Sequence, residues 1–78
     1  MSIIPILKAK EVLQLLLSLG FKVISQKGSH IKLIHSLDAT RRVILPYHSK
    51  DLKRGMLMGV LKQSKISVEE FLKALGKF

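Results

Sequence analysis

The chain has 78 residues, enough for a single domain spanning 1–78 with a small apolar core and no second domain. It holds no cysteine, and its three histidines and five acids are scattered, so no disulfide framework, no metal site and no cofactor is expected, and a reducing, cytoplasmic setting fits. Fourteen Lys and Arg against five Asp and Glu give a net charge of +9, which favours a polyanion or an acidic protein as partner; no segment reads as a membrane span or a signal peptide.

Residues Lys8 to Leu19 carry apolar side chains at helical spacing: Val12, Leu15, Leu16 and Leu19 form one stripe, and Leu13 and Leu17 widen it. Pro5 precedes this helix, and Gly20 stands where a left-handed residue closes it. From Phe21 to Gln26 the period changes to two, with Phe21, Val23 and Ser25 on one face and Lys22, Ile24 and Gln26 on the other. Lys27-Gly28 supplies a turn, since glycine takes positive φ without steric cost. A second strand from Ser29 to Ser36 sets Ile31 and Leu33 against His30, Lys32 and Ile34. After a loop at Leu37 to Thr40, a third strand from Arg41 to Leu45 turns Val43 and Leu45 inward and Arg42 and Ile44 outward, and Pro46 ends it.

Tyr47 to Asp51 is a polar connection, with Tyr47 free to stack on a base. Leu52 to Gln63 reads as a second helix with Leu57, Val60 and Leu61 facing the core, Gly55 near its start and Gly59 permitting close packing. Ser64 to Ile66 connects to a third helix, which opens on a capping box from Ser67 to Glu70 and runs to Leu75, where Gly76 stops it. Val68, Phe71, Leu72 and Leu75 give this helix an apolar stripe, as a structural element or as a lid at the sheet edge. The order is that of an α+β domain: a three-stranded antiparallel sheet with helices on one face, in the α-β-β-β-α layout of double-stranded-RNA-binding domains, plus a C-terminal helix.

This geometry leaves Lys22, Ile24, His30, Lys32, Ile34, Arg42 and Ile44 on the uncovered face. The face is basic and partly apolar, and between Val12 and Leu37 the chain has no acid to offset it. Imidazole exchanges protons near cellular pH and basic neighbours attract phosphate, so His30 after the Gly28 turn is a candidate proton-transfer residue on an RNA backbone. Lys22, Lys27, Lys32 and Arg42 are candidates to hold the phosphate, with Gly28 and Ser29 in the turn beside it. One ring is a poor choice for both proton transfers; His48 and His35 are open as seconds, and each also reads as an ordinary surface histidine.

Gly20-Phe21, Gln26-Lys27-Gly28-Ser29-His30, Pro46-Tyr47-His48, Gly55-Met56-Leu57, Leu61-Lys62-Gln63 and Ile66-Ser67-Val68-Glu69-Glu70-Phe71 occur in this order. From about Lys10 to Leu72 the chain resembles the HicA (YcfA-like) family of toxins of type II toxin–antitoxin modules. The resemblance implies a double-stranded-RNA-binding-like fold. It also implies a ribosome-independent endoribonuclease (an mRNA interferase) whose essential histidine falls on His30; a histidine base acting on the 2′-hydroxyl needs no metal, and His48 is a further candidate for RNA contact. It further implies mRNA as substrate and a cognate HicB-like antitoxin that covers the catalytic face; a monomer is the expectation for so charged a domain alone, and a hetero-oligomer when it is neutralised. Two departures stand out: Met56 where the family often has Thr, and Ser64-Lys65 where it often has Ala-Gly. Read from the residues alone, a non-catalytic RNA-binding module and a basic face that only docks an acidic protein are the alternatives.

Overall fold

The computed structural model describes residues 6–47 and 51–76. Its elements are β1 (Leu7–Lys8), α1 (Ala9–Ser18), β2 (Phe21–Lys27), β3 (His30–His35), β4 (Arg42–Pro46), β5 (Asp51–Leu52), α2 (Arg54–Ser64) and α3 (Val68–Leu75). Strands β2, β3 and β4 form an antiparallel sheet in that order, and β1 pairs with β5 in a separate two-stranded ribbon. The fold is α+β with the α-β-β-β-α order expected, followed by the C-terminal helix.

Helix α1 buries Ala9, Val12, Leu15 and Leu16, the face its spacing dictates. Its start is held by the Lys8 amide, which donates to Glu11 Oε1 at 3.0 Å. The acidic residue also suits the positive end of the helix. The apolar surface is narrower than the leucine run implies: Leu17 is 46% exposed and Leu13 only half-buried. Gly20 closes the helix at φ +96°, as its position predicts.

The inner face of the sheet is apolar where the helices cover it. Phe21, Ile31, Leu33, Val43 and Leu45 are buried against α1 and α2. Helix α2 lies along β4 and buries Leu57, Val60 and Leu61. It starts at Arg54 and not at Leu52, because Leu52 is taken up in β5, where it pairs with Leu7 and is fully buried. A two-residue ribbon has no periodicity to announce it, which is why Leu52 read as helical. Gly59 does not mediate close packing, since a Cβ there would meet nothing within 4 Å.

The end of α2 departs from the usual chemistry. Lys65 holds φ +58°, in the left-handed region, and the Ile66 amide donates to Leu61 O at 3.0 Å while the Lys65 amide donates to Lys62 O at 3.3 Å. This is a Schellman closure, a position that favours glycine. The Ser64-Lys65 departure from Ala-Gly therefore falls where a side chain is least welcome. Ser64 itself is buried with its hydroxyl donated to Val60 O and Leu61 O. Helix α3 opens with Ser67 Oγ accepting from the Glu70 amide at 3.0 Å, the first half of the capping box; no return bond from the Glu70 side chain is present among the described residues. It buries Phe71 and Ala74 and packs on α1, so it is part of the core and not a lid on the sheet.

Candidate functional site

Cross-strand partners put the uncovered face into three ranks. Lys27, His30 and Pro46 stand side by side at the hairpin end; Ser25, Lys32 and Ile44 form the middle rank; Lys22, Ile34 and Arg42 form the last. Residues directly opposite in an antiparallel sheet share a face. Ranks on one face lie two residues apart, about 7 Å by strand rise.

The composition of the first two ranks depends on an irregularity in β2. Val23 pairs with Leu33 and Ser25 with Lys32, so Ile24 is an extra residue without its own partner, a β-bulge. Beyond it the alternation is reversed. Ser25, expected on the covered face, joins Lys32 on the open one; Lys27 becomes a strand residue opposite His30; Gln26 crosses to the helix side opposite Ile31. Val23 keeps its inward register, yet it is 46% exposed and so is not a core residue as its register suggested.

The hairpin has a two-residue loop, Gly28-Ser29, with Gly28 at φ +59° in the first position. Glycine first and an ordinary residue second is the pattern of the II′ turn, whose twist matches that of the flanking strands. The Ser29 carbonyl accepts from the Tyr47 amide, which holds the chain after β4 against the turn. Tyr47 is half-buried against the core, so it is not the free stacking surface expected of it.

His30 is exposed and lines a depression of about 380 Å³ with Ser25, Lys27, Lys32 and Ile44. Among the described residues nothing hydrogen-bonds its ring. A second depression of about 250 Å³ adjoins the first through Lys32 and Ile44; Ile24, Arg42 and Gln63 complete its exposed rim. The structure thus gathers His30 with Lys27 and Lys32. It sets Lys22 and Arg42 in the last rank, four residues along β3 from His30, about 13 Å by strand rise. Gly28 and Ser29 sit at the tip of the hairpin. His48 lies outside the described residues.

His35 is on the other face. Its Nδ1 accepts from the Leu37 amide at 3.1 Å, and its Nε2 lies 3.2 Å from Leu19 O, to which it donates in the matching tautomer. The ring stands edge-on to Phe21, centroids 5.0 Å apart. It is a structural histidine and cannot be the second proton carrier for His30. Parity alone separates them: positions 30 and 35 differ by an odd number on one strand.

Gln63 is the member of the site that no sequence motif announced. It reaches from α2 to the outer edge of β4, where its Oε1 accepts the Ile44 amide at 3.1 Å. Among the described residues no group of three or more His, Cys, Asp or Glu side chains is placed to hold a metal ion. Nor is any helix there long and apolar enough to cross a membrane.

A glycine-turned hairpin presenting an exposed histidine between lysines, on an α-β-β-β-α scaffold, is matched by a known family. The family model described as the HicA toxin of bacterial toxin–antitoxin modules matches residues 9–66. The chain belongs to the HicA toxin family. The matched span runs from the first residue of α1 to the Ile66 that closes α2, and so includes all three ranks. No curated protein matches the chain. Membership in HicA makes this a toxin of a toxin–antitoxin pair, for which an antitoxin partner is the general implication.

Proposed function

We propose that the protein is an endoribonuclease, an mRNA interferase, in which His30 is the proton-transfer residue. One observation carries this reading: His30 stands exposed on the open sheet face between Lys27 and Lys32, in a depression of a size to take a phosphodiester. A His30 ring nitrogen removes the proton from a ribose 2′-hydroxyl. The 2′-oxygen bonds to phosphorus as the bond to the 5′-oxygen breaks, and the departing oxygen takes a proton from the same ring or from water. The products are a 2′,3′-cyclic phosphate and a 5′-hydroxyl. Lys27 and Lys32 offset the charge that builds on the phosphoryl oxygens, a role for preplaced cations. Lys22 and Arg42 hold the strand farther along, Gly28 and Ser29 line its path at the hairpin end, and His48 is assigned to RNA contact from the sequence alone. The substrate is mRNA in the cytoplasm. The partner is a HicB-like antitoxin that covers this face in a hetero-oligomer; alone, the toxin is a monomer.

The test is cleavage of a labelled single-stranded RNA by purified protein with EDTA present. The wild type leaves cyclic-phosphate ends, and His30→Ala lowers the rate about 10²- to 10⁴-fold, the usual value of a positioned proton donor or acceptor. Equal cleavage by the variant removes His30 from the mechanism. Loss of activity in EDTA removes the metal-free scheme. RNA that binds both proteins and is cut by neither assigns the chain to the non-catalytic RNA-binding class.

A further inference from the structure

The second depression has the features of a base pocket. Its floor is apolar, with Ile24 50% and Ile44 45% exposed, and two of its polar walls, Gln63 and Arg42, are each fixed by one hydrogen bond. Gln63 Oε1 accepts the Ile44 amide at 3.1 Å. That bond settles the orientation of the amide, because a backbone N–H requires the oxygen, and it leaves the Nε2 donors for a ligand. Arg42 Nε donates to Ala39 O at 3.1 Å, which fixes the guanidinium plane and leaves its terminal nitrogens and its face available. Lys32 belongs to both depressions, so a group bound here is covalently within reach of one bound beside His30. The volume of about 250 Å³ is below the roughly 300–1,000 Å³ of drug-sized ligand sites and suits one planar ring.

We propose that this depression is a nucleobase subsite, in which Arg42 and the two isoleucines carry the ring and Gln63 selects a base whose exocyclic group at pyrimidine C4 or purine C6 is a keto oxygen. Unpaired RNA bases are held by stacking on guanidinium planes and by hydrogen bonds to their edges. Uracil and guanine present a carbonyl acceptor where cytosine and adenine present an amino donor. An amide whose oxygen is already engaged meets the first with a hydrogen bond and the second with donor against donor. The proposal deepens the ribonuclease reading and rests on its assignment of this face to RNA.

The experiment uses His30→Ala protein, so that RNA is bound and not consumed, with single-stranded hexamers of uridine, of cytidine and of abasic ribose. The uridine strand binds about fivefold tighter than the cytidine strand, the worth of one hydrogen bond. Gln63→Met, which removes the amide without adding charge, abolishes that ratio while the melting temperature shows the fold intact. Ile44→Ser weakens both base-bearing strands and leaves the abasic one unchanged. Base-indifferent binding that ignores Gln63, in a protein whose wild type cuts RNA, overturns the subsite and leaves the nuclease standing. A uridine preference that depends on Gln63, in a protein whose wild type cuts nothing, upholds the subsite and removes the catalysis. No binding of any strand overturns both and gives the isoleucine patch to a protein partner.

Discussion

The hairpin end and the loop end of β3 each carry a histidine, and the two rings live in opposite conditions. At the hairpin end, His30 is exposed, flanked by Lys27 across the sheet and by Lys32 two positions on, with both ring nitrogens uncommitted among the described residues. At the loop end, His35 spends one nitrogen on the Leu37 amide and faces the Leu19 carbonyl with the other, its ring against Phe21. Around it the structure is tied tightly. Arg41 donates to Ser64 O at 2.8 Å and lies 5.3 Å from the Phe21 ring centroid. Lys65 Nζ donates to Thr40 Oγ1 at 3.0 Å. The lesson is that an imidazole serves chemistry or architecture according to whether its lone pair is already in use, and one strand houses both by alternation.

That contrast breaks most sharply at the two rings. His30→Ala gives the largest effect of all, the loss of RNA cleavage described above, with no change in melting temperature, since its ring supports nothing. His35→Ala does the reverse. It removes the partner of the part-buried Leu19 carbonyl and the edge-on packing against Phe21, while water takes the exposed Leu37 amide, and it costs about 1 kcal/mol of stability, read by urea denaturation, while cleavage per folded molecule stays at the wild-type rate. A His35→Ala protein that folds normally and has lost cleavage overturns the division of labour.

Gly20→Ala sharpens the same point from the turn that the His35 ring packs against. The added Cβ lies 2.9 Å from His35 Nε2 at a backbone φ of +96°, so two penalties combine. Destabilisation of about 1–3 kcal/mol follows, with cleavage retained by the folded fraction. Lys65→Gly works in the opposite sense. It relieves a left-handed lysine and stabilises by about 1 kcal/mol, less what the exposed bond to Thr40 contributed; a lower melting temperature contradicts this.

The smallest effect lies in the turn between β3 and β4. The Thr40 hydroxyl, and after it the Thr40 amide, donate to the Asp38 carboxylate and hold its pKa below the ordinary 3.8. A lowered folded value means that Asp38 adds stability above pH 3.8 and loses it as the pH falls through the folded value. The melting gap between wild type and Asp38→Ala accordingly closes on acidification. A gap that widens in acid contradicts the assignment.

Much of this was readable from residue order. The helix faces, the in-and-out pattern of β3 and β4, the glycine turn and the exposure of His30 follow from period and from local chemistry. Three features did not follow. The bulge at Ile24 leaves no mark in an alternating run, because either register of Ser25 to Lys27 looks equally sound. The pairing of Leu7 with Leu52 joins distant residues through two positions each. Gln63 has no motif, since its place at the site comes from the way α2 lies along β4.

The extra residue in β2 separates what a codon does for the scaffold from what it does for the chemistry. Deleting Ile24 would restore strict alternation and leave Ser25 opposite Lys32 and Lys27 opposite His30, whereas keeping Ile24 and pairing it without the bulge would send Ser25 and Lys27 to the far side and bring Gln26 up in their place. One triplet lost from the gene would leave the phosphate grip standing and take from the open face only the isoleucine of the second depression.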